Sequence, residues 1–567
     1  MQLGGKTLMT AQHANWFGFW VLFCGLSVNV AAAHEQTLVE FLAANQTDDQ
    51  KVGAHHSAPK GSCELSIEIF EESTRQPLHG LIRVTDLSTG ELVRLNRVLE
   101  RPMGWYSSPP KARLTVPRGK VRIEACHGIE TEVLETTLNL SGQLARSVKL
   151  PLTRFYDPAA RRLCSGNTHL HVVLDAHRKM SVQLESRKEA DQYLRVVGKS
   201  DGLDIVYVSY LTRPNSEYIS NEYTRDDFQG LSDQEILFAN GEEYRHNGGV
   251  DPKNDNVTYG HVLFLDISRL IEPASIGPGL TEGGDATDGI PLRQGIRQVR
   301  AEGGTVVWCH GMMGTEAVPN WVDGLIHAQN IYDGGNVGTI ESVYYPYLNA
   351  GIKVPFSSGT DWGIWDFSRV YVPLEGAISS QPFLASLVQG RSFITNGTFL
   401  ELDVDGQQPG GTIALDKPSS VQVRARAIGR ADFKSMQLVF NGKVVREVAR
   451  RQDERHFVAE LEETIDIAES GWLALRIPTE REYNIRSRFE GASTNVLGKT
   501  LFAHTSPVYL SIEGREVFKP AAAKQLIATL QKSIEQIRTK GAFDSAQDRR
   551  AILKIYEDAI LKLYERL

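Results

Sequence analysis

The sequence predicts a mixed α/β protein in which a βα domain stands between two β-sandwich domains and a helical hairpin closes the chain. Three observations predict it. Short alternating strands fill residues 61–155, continuous β-branched runs separated by helix-like stretches fill 156–392, and alternation returns over 393–517. At 567 residues the chain is several times the roughly 150 residues of one ordinary domain. A hydrophobic content of 41% and a charged content of 23% exclude the disordered and fibrous classes. The net charge of −8 is spread along the chain with no run of Lys or Arg, which argues against a nucleic-acid partner.

Residues 1–33 read as an export signal. Lys6 lies in a weakly charged start, the stretch from Trp16 to Val30 is apolar, and Ala31, Ala32 and Ala33 supply the small residues a signal peptidase needs. The stretch is short for a membrane span and polar at Ser27 and Asn29; an uncleaved anchor is the alternative. No other segment reaches the ~18 consecutive apolar residues of a span. The expectation is therefore an exported protein, periplasmic or extracellular, without a membrane span once the signal is removed. Residues 34–60 are polar and aperiodic and read as a leader.

In 61–155 the strands CELSIEIF, GLIRVTD, ARLTVP and KVRIEAC are separated by turns rich in Gly, Pro and Asp, the texture of a β-sandwich. Four cysteines follow the signal: Cys63, Cys126, Cys164 and Cys309. Cys63 shares the phase of Leu65, Ile67 and Ile69, whereas Cys126 falls out of phase with Val121, Ile123 and Ala125. An exported chain allows a Cys63–Cys126 disulfide, but the pattern does not indicate one.

In 156–392 the runs DIVYVSYL, HVLFLDI, GTVVWCHG and IKVPFSSGTD alternate with helical stretches such as PLRQGIRQVRAEG. Such runs predict buried parallel strands in βα units, as in a barrel or a doubly wound sheet. In a barrel, chemistry gathers at the C-terminal ends of the strands. In 393–517, Val421, Val423, Ala425 and Ala427 interleave with polar residues, and Asn441-Gly442 marks a hairpin. Residues 518–567 form a helical hairpin. Pro520 opens one helix, Gly541 ends it, and Ser545 caps the next. Its stripe of Ile552, Leu553, Tyr556, Ile560 and Leu563 is expected to pack on the body.

The candidate chemistry lies in the βα domain. His169 and His171 stand two apart in a β-like stretch, so they share a face and can reach one cation. Glu243 lies in NGEEYRH, His261 opens HVLFLDI, His310 ends GTVVWCH and Asp361 ends VPFSSGTD. Singly, each position suits a structural role; together they form an imidazole and carboxylate set with no thiolate cluster. That set suits Zn²⁺, Mn²⁺ or Fe²⁺ in a catalytic rather than a structural site. Glu243 is the natural bridge between two ions. Cys309 is expected to face away from His310, since adjacent strand residues alternate. No GxSxG elbow, Walker loop or strand-to-helix GxGxxG is present.

The order His169-Leu170-His171, Gly241-Glu242-Glu243, Gly260-His261, Gly303 to His310 and Gly359-Thr360-Asp361 resembles the PHP (polymerase and histidinol phosphatase) metallohydrolase superfamily. It is most similar to the CehA/McbA-like branch, named for a carbamate hydrolase. YYPYLNAGIKVP, SRVYV around Arg369 and GRSFITNG around Asn396 extend the likeness over roughly residues 160–410. The resemblance implies a distorted (β/α)7 barrel with metal ions at the strand C-termini. It also matches His177 to a further family ligand. The chain departs from the family where Tyr210 and Leu211 replace an Asp-His pair and where Gly363 replaces a histidine. Those departures imply loss of a third metal position. A first (His169, His171, Glu243, Asp361) and a second (Glu243, His261, His310) remain.

The expected activity is hydrolysis of an ester, amide, carbamate or phosphoester of a small molecule, with one or two divalent ions bound. Glu243 bridges and Arg369 neutralises developing charge, while Tyr210, Trp362 and Trp365, with Trp308 and Trp321 as further candidates, line the substrate pocket. The rival expectation is a catalytically degraded binding protein on the same scaffold. A glycosidase is disfavoured because no pair of acids facing a cleft is identifiable.

Overall fold

The structure, a computed structural model, describes residues 61–172, 184, 186–212, 219–220, 223–246, 258–273, 275–276, 288–310, 314–333, 340–364, 366–478 and 492–567. The expected signal and leader, His177 and Trp365 lie outside the described residues. The protein is mixed α/β and mostly strands, arranged as a large curled sheet with smaller sheets beside it.

Alternation sets the N-terminal region. Ser62–Glu71 buries Cys63, Leu65, Ile67 and Ile69 and lies between Lys111–Pro117, antiparallel, and Ala145–Leu152, parallel. A five-stranded sheet is built around Gly80–Asp86, which pairs with Trp105–Ser108 and Lys120–Cys126. The two sheets share one apolar core. Cys63 and Cys126 sit in different sheets, both buried and both free thiols.

The curled sheet begins with Leu163–His171. Ile205–Thr212 pairs parallel with it, and Leu237–His246 pairs parallel with Ile205–Thr212. His261–Leu265 is antiparallel to both of its neighbours, Leu237–His246 and Thr305–Trp308. Parallel pairing resumes through Ala328–Asn330 and Phe356–Ser357. The chain then returns to the first strand: Thr360 N donates to His169 O at 2.9 Å, and Asp361–Trp362 pairs parallel with Leu170 and His171.

The expectation of a parallel strand is corrected at His261–Leu265; Arg369–Pro373 is likewise antiparallel to Leu163–His171. The segment before His261, GGVDPKNDNVTYG, is polar and broken by Gly and Pro, a composition that does not favour the helix a parallel crossover uses.

Two helices carry the expected apolar stripes. Arg187–Ser200 starts where the Ser186 side chain accepts from Glu189 N, and it buries Ala190, Tyr193, Leu194 and Val197. Leu292–Ala301 buries Leu292, Ile296 and Val299. In the C-terminal region Ser419–Gly429 buries Val421, Val423, Ala425 and Ala427 and exposes Gln422 and Arg424. Asn441 and Gly442, at φ 50° and 87°, turn Ser435–Phe440 into Lys443–Ala449. There is no break in pairing at 393, because Phe393–Thr395 pairs with both Arg369–Pro373 and Ala503–Thr505.

The tail helices Pro520–Lys540 and Ala546–Tyr564 pack on the central core through Ile552, Tyr556 and Leu563, with Leu553 and Ile560 partly buried against it. Among the described residues no helix is long and apolar enough to cross a membrane.

Candidate metal centre

The topology explains why six separated residues meet. His169 and His171 share one face at the end of their strand, and Glu243 lies near the end of the strand beyond Ile205–Thr212. His310 follows Thr305–Trp308 by two residues, and Asp361 opens its short strand beside Leu170. His261 is the first residue of a strand that runs the other way. Its start therefore lies where the parallel strands finish. The antiparallel reversal is what brings His261 to the centre.

Local backbone strain supports the same arrangement. His310 and Asp361 adopt φ of 51° and 61°, the left-handed region that costs a non-glycine residue of order 1 kcal/mol or more. Close packing accompanies it: a Cβ on Gly359 would stand 2.5 Å from His169 Cβ and 2.7 Å from His169 N. Only glycine lets the segment before Asp361 lie this close to the His169 strand.

The donor atoms fall into two groups that share Glu243. In the first, potential ligand atoms of His169, His171, Glu243 and Asp361 all lie within 4.8 Å of one another; in the second, those of Glu243, His261 and His310 do. His169 Nε2 and His171 Nε2 are 3.0 Å apart, and Glu243 Oε2 is 2.8 Å from His171 Nε2. Asp361 Oδ1 is 3.6 Å from each Nε2. Glu243 Oε1 faces the second group, 2.9 Å from His261 Nδ1 and 3.8 Å from His310 Nε2. Asp361 Oδ1 and His261 Nδ1 are buried without a hydrogen-bond partner.

The hydrogen bonds behind the rings fix what they present. His171 Nδ1 donates to the Ser209 carbonyl at 3.0 Å. His169 Nδ1 lies 2.9 Å from Asp333 Oδ2, and His310 Nδ1 lies 3.2 Å from Asp333 Oδ1. A carbonyl and an ionised carboxylate only accept, so each Nδ1 carries the hydrogen. Each neutral ring then turns its Nε2 lone pair inward. Lone pairs and carboxylate oxygens that converge without a donor repel unless a cation joins them.

In the ion-free chain a proton serves. Burial depresses His169, but Asp361 and the bonds to Asp333 and Glu243 outweigh it and raise its pKa to about 9. Burial disfavours a charged Glu243, but Arg245 and then His261 outweigh it and hold its carboxyl well below the usual range. Burial wins at His261 and lowers it to about 4, which leaves its ring neutral. The residues fit a divalent cation of the Zn²⁺, Mn²⁺ or Fe²⁺ kind.

Two contributors, Asp333 and Arg245, are not marked in the sequence, and Cys309 lies otherwise than its place there suggests. Asp333 is wholly buried; it accepts from His310 N at 3.0 Å and is held by Asn330 Nδ2 at 3.1 Å. It follows the short strand Ala328–Asn330 by three residues, and that place just past a strand was the available signal. Arg245 lies two residues beyond Glu243, with Nη1 3.4 Å from Glu243 Oε1. Cys309 does not turn away as expected: a ring nitrogen of each of His169 and His310 lies within 4.8 Å of its Sγ. The strand has ended at Trp308 and His310 is left-handed, so strict alternation no longer holds. Burial pushes the Cys309 thiol well up, which leaves it a neutral thiol rather than a nucleophile.

The remaining candidates divide. The Trp362 ring lies 4.7 Å from the His171 ring, against the centre, and Tyr210 is half-buried at the end of its strand beside Ser209. Trp308 and Trp321 are core residues at 0% and 3% exposure. Arg369 makes its hydrogen bonds elsewhere. Its Nε donates to Phe367 O at 2.9 Å and its Nη1 to Gly202 O at 3.0 Å. Gly202 precedes Ile205–Thr212, so these contacts hold Arg369 at the opposite end of the strands from the centre.

No protein-family model matches this chain, and no curated protein does.

Proposed function

We propose that this chain is an exported, divalent-metal-dependent hydrolase acting on an ester, amide, carbamate or phosphoester. On this reading the curled sheet is a distorted (β/α)7 barrel of PHP type, flanked by β-sandwich regions. One observation carries it: two imidazole lone pairs and two carboxylates converge in a buried space, with the imidazole hydrogens engaged on the outer side. A bound divalent ion supplies Lewis acidity and a hydroxide-strength nucleophile at neutral pH. His169, His171, Glu243 and Asp361 hold it, and Asp333 and the Ser209 carbonyl orient the imidazoles. The His261 and His310 side chains, at 12% and 10% exposure, mark the more open side, where a small substrate enters. Trp362 walls the space, and Tyr210 stands at its edge.

The second reading, a binding protein on this scaffold, is favoured by one observation. Tyr210 and Leu211, in the strand Ile205–Thr212, stand in the sequence where the resemblance would put an Asp-His pair. Elemental analysis of the full chain beside a His169→Ala, His171→Ala double variant tests the proposal. Bound Zn, Mn or Fe that falls sharply in the variant, with ester or carbamate hydrolysis abolished by a chelator, is expected. A wild type that stays metal-free after loading would sink the hydrolase and leave the binding protein.

A further inference from the structure

We propose that this chain holds a single divalent cation, in the first donor group, and that the Arg245 guanidinium takes the charge position of a second. The inference rests on the metallohydrolase reading and narrows it. The two groups are unequal in charge. The first has two carboxylates, Glu243 and Asp361, beside two imidazoles, and Asp361 Oδ1 is buried there without a hydrogen-bond partner. Among the described residues the second has no carboxylate of its own and borrows only Glu243 Oε1.

That oxygen already faces a cation. Arg245 Nη1 stands 3.4 Å from it, from a side chain on the same face of the same strand. The residue is 6% exposed, so water screens the guanidinium little, and it cannot be deprotonated to make room. Backbone register holds it in place, since Arg245 pairs with His261 across Leu237–His246 and His261–Leu265.

The formal charges agree. With the imidazoles left out of the sum, Glu243, Asp361 and Asp333 contribute three negative charges and Arg245 one positive, a net of −2 that one divalent ion balances. A second would leave a buried surplus of the same size, beside a fixed guanidinium. His261 and His310 then remain on the open side, available to substrate rather than committed to an ion.

Equilibrium dialysis of the full chain against Zn²⁺, followed by elemental analysis, reads the number directly. About one equivalent is expected in the wild type and in His261→Ala, and almost none in His171→Ala. Arg245→Met, its fold checked by circular dichroism, should rise to about two, and the added ion should vanish in Arg245→Met, His261→Ala. Two equivalents in the wild type, or loss of the single ion in His261→Ala, overturns the inference while leaving the hydrolase standing. No zinc in the wild type overturns both. A folded Arg245→Met that stays at one equivalent overturns the role given to Arg245. If that variant does not fold, wild type against His261→Ala still decides where the ion sits.

Discussion

His169 and His310 both present Nε2 to the centre because one carboxylate, Asp333, takes the hydrogen of each Nδ1. Asp333→Asn replaces a double acceptor with an amide that must offer hydrogens to one ring. Zn²⁺ affinity should fall about 10–100-fold, read by competition with a chromophoric chelator, and an unchanged affinity would remove Asp333 from the centre. The His169 proton gives a second prediction. Its pKa rises from the ordinary 6.5 to about 9 in the folded, ion-free chain. The stabilisation that proton brings is complete below pH 6.5 and is lost as pH rises through about 9. A cation competes for the same lone pair, so Zn²⁺ affinity should climb across that window. A flat profile would show that the proton is no competitor. The sequence made His310 and Asp361 legible because each follows an apolar stretch, TVVWC before His310 and IKVPF shortly before Asp361. Asp333 follows a short one, and Arg245 has no motif, since its meaning is its distance to Glu243.

At the scale of elements, the centre depends on how closely the segment around 359 approaches the His169 strand. Gly359→Ala would place a methyl group 2.5 Å from His169 Cβ, which backbone atoms on both sides resist. Such overpacking should cost about 1–3 kcal/mol. It should also lower zinc occupancy, because His169 and Asp361 would be pushed apart. Chemical denaturation and elemental analysis on one preparation check both effects, and full occupancy at unchanged stability would refute the packing argument. Sequence pattern located most of these strands to within a residue or two, because an apolar run bounded by turn residues is a local signal. It misjudged the direction of His261–Leu265, because direction depends on pairing with strands distant in sequence. The residue was found by its chemistry, although the reason it reaches the centre was hidden.

Across the whole molecule, the N-terminal sheets brace the loop that follows the centre. Arg101, in the strand Leu99–Arg101, donates to both oxygens of Asp201 at 2.7 and 2.9 Å, with side chains 1% and 0% exposed. Asp201 caps the C-terminus of the helix Arg187–Ser200, and on that helix Tyr193 OH accepts from Ile364 N at 2.8 Å. Ile364 lies two residues past Trp362, the ring against His171. No composition or period announces this path, because it joins three segments through single contacts. A buried ion pair need not stabilise relative to an apolar pair, but removing one partner strands the other charge. Arg101→Met should therefore cost about 3–5 kcal/mol, and Arg101→Met, Asp201→Leu distinctly less. If Tyr193 transmits the brace, Arg101→Met should also loosen the 362–364 segment, seen as faster amide exchange there than in the Ser419–Gly429 strand. Equal protection in both, with the stability loss present, would confine the ion pair to holding the two regions together.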